Sequence, residues 1–292
     1  MKDKVYAQVY SLIRTFPEGL SDALRYFSQV GYDGVELVGS NTDGLTLEAF
    51  RTLLSELKLK VAAVHSIGGI EDMNFAKQLG VKYIANDIHP KHRTREEILG
   101  ICAELNRQGH GYQENGQKLV IHNHADEFGW IRGEEGKTRI YDLLLEHTDP
   151  ALVGFELDVG WAAIAGADVA GYIEKHPGRF PLIHVKECDR LAQSGEDLEH
   201  FPTRIFHAGL EKDPVTGIPV LTEEMKQELY ETRNWNKALG KGIVDWSALV
   251  KAADAQGCEA YISEREYYHY EGSDGTAKCC AKLDYEYLRG LS

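Results

Sequence analysis

The sequence predicts one (β/α)8 TIM barrel over residues 1–292, and three observations lead to it. Short apolar runs alternate with segments of helical periodicity, which is typical of a parallel sheet covered by helices. The length of 292 residues fits either one barrel of roughly 250 residues or two small domains. Four apolar runs end in ionisable residues, which indicates one ring of polar groups at one end of a barrel. A doubly wound open sheet is the alternative, but residues 10–17 lack its glycine-rich phosphate turn.

The predicted elements follow one another at regular spacing. Strands are expected at residues 5–10, 34–38, 61–65, 83–86, within 118–127, and at 153–158, 180–184 and 260–264. Helices are expected at residues 20–30, 46–54, 73–79, 94–108, 138–147, 168–176 and 245–256. Thr46 is suited to cap its helix, and Thr94 with Glu97 has the spacing of a capping box.

One long segment, residues 188–241, interrupts this rhythm after the seventh strand. It is charged, contains Pro202, Pro214 and Pro219, and includes a helix-like run near 223–232. Loops of this length in compact domains are usually lids or partner-binding arms. We expect a lid or an oligomerisation arm, and with it a homo-oligomer, either a dimer or a tetramer. A tolerated surface insertion is the alternative.

Composition narrows the class of function. The formal net charge is −14, and such a surface repels nucleic acid, so no nucleic-acid partner is expected. The N-terminus lacks the pattern of a signal peptide and no run approaches about 20 apolar residues, so no membrane partner is expected. The five cysteines are odd in number and lack a framework spacing, which favours reduced thiols and a cytoplasmic location.

The candidate site residues lie where the predicted strands end, because barrel active sites form at that end. They are Glu36, His65, Asn86, His122, His124, Glu127, Asp158, His184, Lys186, Glu264 and Glu266. Buried carboxylates need a partner, and a mixed carboxylate and imidazole set suits a divalent cation, Mn, Mg, Co or Zn. Several have ordinary structural interpretations too: Glu36 as a strand-end ion pair, His65 as a structural histidine, and Asp158 as a cap of the next turn.

Six short motifs carry a family resemblance. They are residues 31–37, 121–128, 155–162, 183–187, 240–246 and 262–266. In this order they resemble the xylose isomerase-like TIM barrels, the sugar phosphate isomerase/epimerase group that also contains ketose 3-epimerases, inosose dehydratases and endonuclease IV. The motifs are specific for the superfamily but not for one reaction.

The resemblance implies one catalytic divalent metal ion, with Mn favoured. Asp158, His184 and Glu264 match three of the ligand positions of the family. Many members have a glutamate at the end of strand five, where this chain has His122. Because the subgroup with the pattern His-Asn-His-x-x-Glu-Phe carries a glutamate a few residues later, Glu127 is predicted as the fourth ligand, with His122 as the alternative. Trp161 replaces a metal-binding histidine of the nuclease branch, so a trinuclear zinc cluster is not expected.

The predicted activity is isomerisation or epimerisation of a ketose or related keto-sugar, a small-molecule sugar or polyol ketone, by metal-assisted proton transfer. Glu264 and Glu127 are expected to transfer protons, Lys186 to hold the developing oxyanion, and His65 and His124 to orient hydroxyls or shuttle protons. The residues expected to bind substrate are Glu36, Asn86, His122, Trp161 and Glu266. A lyase that eliminates a β leaving group, as in inosose dehydratase-like or keto-glycoside-cleaving relatives, is the alternative. A non-catalytic sugar-binding protein is a third.

Overall fold

A closed barrel of parallel strands forms the centre of the molecule. The computed structural model describes residues 3–13, 19–88, 90, 93–192, 220, 222–231, 233–269 and 271–291. The barrel strands of these residues are β1 (Val5–Gln8), β2 (Gly34–Val38), β3 (Lys60–His65), β4 (Tyr83–Asn86), β5 (Lys118–His122), β6 (Val153–Asp158), β7 (Leu182–Val185) and β10 (Ala260–Ser263). Their order around the barrel is β1-β10-β7-β6-β5-β4-β3-β2, so the predicted TIM barrel is confirmed.

Helices alternate with the strands of the barrel, and one, at Glu223–Glu231, lies within the insertion. They are α1 (Tyr10–Ile13), α2 (Leu20–Val30), α3 (Leu47–Glu56), α4 (Ile70–Leu79), α5 (Arg95–Glu114), α6 (Ile140–His147), α7 (Val159–Ile164), α8 (Val169–Lys175), α9 (Glu223–Glu231), α10 (Trp246–Ala255) and α11 (Ala277–Gly290). Both predicted caps are present: Thr46 accepts a hydrogen bond from the backbone of Ala49, and Thr94 forms a capping box with Glu97.

The interior of the barrel changes character along each strand. Near the amino ends it is filled by the buried side chains of Tyr6, Ala63, Tyr83, Ala85, Val120, Leu182, Ala260 and Ile262. Since side chains on one face of a strand recur every second residue, Val120 is followed inside the barrel by His122, and Leu182 by His184. The apolar side chains near the amino ends are therefore followed by ionisable side chains at the carboxyl ends of the strands. We call this carboxyl end of the barrel the mouth.

Part of the predicted insertion at 188–241 can be described. Residues 193–219, 221 and 232 lie outside the described residues. The short strands β8 (Glu187–Cys188) and β9 (Asn236–Lys237) pair in antiparallel fashion, so the end of the insertion returns to the barrel directly beside its start. The Glu187 carboxylate accepts hydrogen bonds from Gly240 N (3.0 Å) and Trp246 Nε1 (2.6 Å), which fixes this return.

Two further sequence expectations concern thiols and membranes. All five cysteines are free thiols, and four of them are buried. Within the described part of the chain, no helix has both the length and the apolar character needed to cross a bilayer. The cytoplasmic location and the homo-oligomeric state stay predictions.

Candidate metal centre

Four buried side chains from four strand ends meet in the mouth. They are His122 of β5, Asp158 of β6, His184 of β7 and Glu264, which directly follows β10. One potential ligand atom of each lies within 4.8 Å of those of the others. Donor atoms bound to one cation lie roughly 3–4 Å apart, so this spacing fits a divalent ion. The structure thus brings together three of the predicted ligands and the alternative fourth, His122.

Glu127, the predicted fourth ligand, lies outside this group. It is fully buried in the 3₁₀ turn Asp126–Phe128, and its Oε2 accepts a hydrogen bond from the backbone N of His124 at 2.8 Å. Burial, together with the nearby charge of Asp126, raises the pKa of Glu127 to about 8. The turn therefore directs one oxygen of Glu127 to the backbone, and the raised pKa favours the protonated carboxyl at neutral pH.

Three carboxylates orient the two imidazoles: Glu36 and Glu156, which lie outside the group of four donors, and Glu264, which is one of the four. The Nε2 of His184 lies 2.6 Å from Oε2 of Glu36, and its Nδ1 lies 3.2 Å from Oε2 of Glu264. The Nδ1 of His122 lies 3.1 Å from Oε2 of Glu156. Carboxylates in these positions fix the tautomer and ring orientation of metal-binding histidines. Sequence reasoning missed Glu156, although it precedes Asp158 by two residues and so shares its strand face.

These groups compete for protons in a dry environment. Burial raises the pKa of Glu156, and repulsion from Glu36 raises it further. Burial also opposes ionisation of Glu36, but His184 and His65 outweigh it and lower the pKa of Glu36. Burial would lower the pKa of His184, yet Glu156 and Glu36 raise it well above its ordinary value. Burial and the charge of His184, in contrast, lower the pKa of His122. In the described site, protons on His184, His65 and Glu156 therefore offset acidic charge that a cation would otherwise offset.

Lys186 is a cation held among three carboxylates. Its Nζ lies 3.1 Å from Asp158 Oδ2, 3.0 Å from Glu264 Oε2 and 3.0 Å from Glu266 Oε2. Burial would lower the pKa of Lys186, but these acids raise it, so the ammonium stays charged. The same group lies 5.3 Å from the ring centre of Trp161. Lys186 therefore balances charge beside the four donors and is unsuited to act as a base.

The end of the insertion, where the chain comes back to the barrel, covers one side of the mouth. Arg233 is buried, with Nε 3.1 Å from Oε2 of Glu266 and its guanidinium 4.9 Å from the centre of the Trp161 ring. The ring of Trp235 packs on Trp161 at 4.6 Å. Trp161 is fully buried beneath these groups. Neither Arg233 nor Trp235 was predicted, because no local pattern in a long insertion indicates which residues return to the barrel.

The opposite side of the mouth, at β3, β4 and β5, is more open. His65 is partly exposed, and its Nε2 lies 3.2 Å from Oδ2 of Asp87, a residue that was not predicted. Burial opposes the charged imidazole, but Asp87 and Glu36 raise the pKa of His65 well above its ordinary value. His124 and Asn86 are half-buried on the same side, and Asn86 Nδ2 contacts Tyr112 Oη at 3.4 Å. This side holds the accessible polar groups.

The residues present fit a divalent cation. Six acidic side chains surround the mouth, namely Glu36, Asp87, Glu156, Asp158, Glu264 and Glu266. Besides Lys186 and Arg233, protons on His65, His184 and Glu156 balance them, and a cation would replace such protons. Among the described residues, Oε1 of Glu156 accepts no hydrogen bond, which is costly in a dry site. Two imidazoles and two carboxylates as donors suit Mn²⁺, Co²⁺ or Zn²⁺, and are less typical of Mg²⁺. Manganese itself stays a prediction.

Asp158 has two structural roles at once. Its Oδ1 accepts a hydrogen bond from Trp161 N at 2.9 Å and caps α7, while Oδ2 faces Lys186. Asn123 holds its backbone, because the amide side chain bonds both Asp158 N (3.0 Å) and Asp158 O (3.1 Å). The capping interpretation of Asp158 is thus confirmed, and the residue remains available as a donor.

Comparison with known proteins places these features in context. No family model matches the chain. An inosose dehydratase from Halalkalibacterium halodurans is 32% identical over 126 residues, which is 42% of this chain and 39% of that protein. The chain thus matches about two fifths of the length of this curated relative.

Solved structures share the whole fold. A sugar phosphate isomerase/epimerase from Parabacteroides distasonis aligns with a TM-score of 0.71 and 19% identity, covering 99% of this chain and 94% of that one. A xylose isomerase domain protein from Alicyclobacillus acidocaldarius gives a TM-score of 0.65 and 12% identity, covering 99% and 97%. The predicted resemblance to these barrels is therefore confirmed at the level of the fold.

Proposed function

We propose that this protein is a divalent-metal-dependent enzyme that removes a proton beside the carbonyl of a sugar or polyol ketone. The observation that carries the proposal is the convergence of His122, Asp158, His184 and Glu264, one donor from each of four strand ends. A divalent cation held there supplies Lewis-acid polarisation of a ketone oxygen. The six acidic side chains of the mouth support such a cation.

Glu264 is the best candidate for the base. Burial would raise its pKa, but Lys186 and His184 outweigh burial and lower it well below its ordinary value, so the carboxylate is ionised. Lys186 lies 3.0 Å from this carboxylate and holds it in place. In this role Glu264 takes the proton from the carbon next to the ketone, and Lys186 stabilises the negative charge that develops.

Elimination is the outcome that the arrangement favours. β10, which leads to Glu264, and β4, which leads to Asp87, lie on opposite sides of the barrel. His65 is bonded to Asp87 on that far side, with His124 nearby. The protonated imidazole of His65 can give its proton to a hydroxyl that leaves from the β carbon. The products would be water and an unsaturated ketone, as in a dehydratase, which agrees with the partial similarity to inosose dehydratase.

Isomerisation or epimerisation is the second candidate, and Glu127 is the observation in its favour. Its carboxyl has a pKa of about 8 and is bonded to the backbone of His124, so a neutral acid lies close to the open side of the mouth. Such an acid can return the proton to substrate carbon or oxygen instead of expelling a leaving group. The fold shared with a sugar phosphate isomerase/epimerase is compatible with this reaction.

One experiment separates these reactions. The Mn²⁺-loaded protein is incubated in heavy water with inososes, ketoses and 3-keto-glycosides, and the products are followed by mass spectrometry and proton NMR. Loss of water or of an aglycone supports the lyase. Rearranged sugar of unchanged composition, with deuterium on carbon, supports the isomerase or epimerase. Binding without any turnover across the panel contradicts an enzymatic function, and full activity in excess chelator contradicts the metal.

A further inference from the structure

An open cavity lies beside the mouth, on its accessible side. It has a volume of about 720 Å³ and is lined by residues that follow β3 and β4 and by one face of α5. This volume lies within the range of roughly 300–1,000 Å³ that small-molecule sites occupy. None of the four candidate metal donors lines it, so the cavity is a separate space next to the metal centre.

Asp87 joins the cavity to the candidate metal centre. It lines the cavity and bonds His65, and one of its oxygens lies within 4.8 Å of ring nitrogens of His122 and His124. Because His122 is one of the four donors, the cavity begins one side chain away from the expected cation. A substrate chelated in the mouth therefore has space to extend past Asp87.

The other side of the mouth offers less room for such an extension. Trp161 and Trp235 are fully buried there, and Lys186 and Arg233 are almost so. On the cavity side, the Asp87 side chain is 32% exposed. The difference in burial indicates that the part of a substrate that extends beyond the sugar ring lies toward β3 and β4.

The lining of the cavity defines the chemistry of its occupant. Aliphatic side chains form much of its surface, from Ile67, Ile88, Ile101 and Leu105. The cation in the lining, Arg93, lies 3.6 Å from Glu97, which also lines the cavity. The other acids of the lining are paired too, Asp87 with His65 and Glu104 with Arg107, so among the described residues the cavity offers an anionic group such as phosphate no unpaired cation.

We infer that this cavity is a subsite for an uncharged, apolar, ring-sized substituent of the sugar, such as the aromatic aglycone of a glycoside. The inference deepens the proposed function, since it takes the mouth as the place where the sugar ring binds. Apolar contact with the aliphatic lining stabilises the substituent, while the sugar hydroxyls remain near Asn86 and His124.

Gly100 provides a way to fill the cavity. It lies on α5 in the cavity lining, and a Cβ added there meets nothing within 4 Å. A side chain at this helical position is also favourable for folding, because glycine weakens a helix interior. Gly111 is a matched control: it lies on the same helix, has equally open surroundings and does not line the cavity.

The test measures binding without relying on turnover. Phenyl β-glucoside and methyl β-glucoside, which have no ketone and do not react, are titrated into the Mn²⁺-loaded full chain by calorimetry. We expect the phenyl glycoside to bind about tenfold more tightly or better, since a buried ring adds apolar contact. Gly100→Trp should abolish this preference, and Gly111→Trp should keep it. Equal binding of both glycosides by the wild type, or an unchanged preference in Gly100→Trp, would overturn the inference.

A second pair of variants probes the lining itself. Ile67 lines the cavity and is 54% exposed, whereas Ile70, 68% exposed, is not part of the lining. Ile67→Ser should weaken phenyl glycoside binding by roughly three- to tenfold through lost apolar contact, and Ile70→Ser should leave it unchanged. Equal effects of the two substitutions would contradict the subsite. If no keto-sugar is turned over, the proposed function fails, whereas the subsite is still decided by these binding data.

Discussion

The two ends of the barrel use charged side chains in different ways. At the amino ends, which we call the floor, Glu259 accepts hydrogen bonds from Lys82 Nζ (2.9 Å) and Tyr83 Oη (2.6 Å), and both charged side chains are about half exposed. In the mouth, acidic side chains lie close together in the interior, and two of them, Glu36 and Glu156, are fully buried. At the floor, Lys82 and Glu259 form a balanced, half-exposed pair that contributes to stability. The mouth is an unbalanced interior, which is stable only with protons or a cation.

The largest expected effect is on turnover. Glu264→Gln removes both a donor of the candidate metal centre and the proposed base, so kcat/KM should fall by about 10²- to 10⁴-fold. The measurement is steady-state kinetics on whichever keto-sugar the wild type converts. Glu146→Gln, at a side chain that is 70% exposed, is the matched control and should behave as wild type. Near-normal activity in Glu264→Gln would exclude this residue from the chemistry.

The next largest effect is a gain in the free energy of unfolding when Mn²⁺ binds. If the mouth binds Mn²⁺ in the folded state only, a concentration 100-fold above Kd should stabilise the protein by about 2.7 kcal/mol. Chemical denaturation with and without Mn²⁺ measures the difference. Asp158→Asn, which removes one donor charge, should lose most of this gain. A gain of the same size in that variant would mean that the cation binds elsewhere.

A smaller effect, on Mn²⁺ affinity, is expected from the carboxylates that contact the donor histidines. Glu156→Gln weakens the carboxylate contact that orients His122, and should lower Mn²⁺ affinity by about 10- to 100-fold with the fold intact. Metal titration followed by calorimetry measures the change. Glu259→Gln is the control from the floor and should bind Mn²⁺ as the wild type does. If both variants bind equally well, Glu156 does not support a ligand.

The smallest effect lies in the floor and depends on pH. Burial opposes ionisation of Glu259, but Lys82 and Tyr83 outweigh it, so its pKa lies below the ordinary value of 4.5. Glu259→Gln should therefore cost at most about 1 kcal/mol of unfolding free energy above pH 4.5, because the pair is solvent-screened. This difference should disappear as the pH falls through the lowered pKa of Glu259. Urea denaturation at several pH values measures it, and a difference that grows in acid would contradict the assignment.

The barrel could be predicted from sequence because its signals are local. Alternating apolar runs and capping residues such as Thr94 are readable without knowledge of distant contacts. The element ends were less predictable. The fifth strand was predicted only to lie within residues 118–127, whereas β5 spans Lys118–His122 and a 3₁₀ turn follows at Asp126–Phe128. The short helix α7, which directly follows Asp158, was also not predicted.

The part of the candidate site that lies at strand ends could be predicted from the sequence. Asp158, His184 and Glu264 were chosen by strand position and family pattern, and the structure brings them together. The choice between His122 and Glu127 depended on a turn whose backbone hydrogen bond to Glu127 is not written in any short motif. Glu156 was visible through strand alternation and was overlooked.

Arg233 and Trp235 were beyond sequence reasoning for a physical reason. Their partners, Glu266 and Trp161, are far away in the chain, and long-range pairing leaves no local periodicity. The antiparallel pairing of β8 with β9 brings this stretch to the mouth. A reader of the sequence could see that the insertion was long, but not which of its residues returns to the barrel.

Asp158 both caps a helix and is a candidate metal donor, and this double role offers a way to detect a bound cation. One oxygen holds the first turn of α7 through the amide of Trp161, and the other lies 3.1 Å from Lys186 Nζ, beside the other three candidate donors. A cation that draws the carboxylate toward itself alters the strength of that backbone hydrogen bond. The deuterium exchange rate of this single amide is therefore a spectroscopic gauge of loading, readable without any substrate.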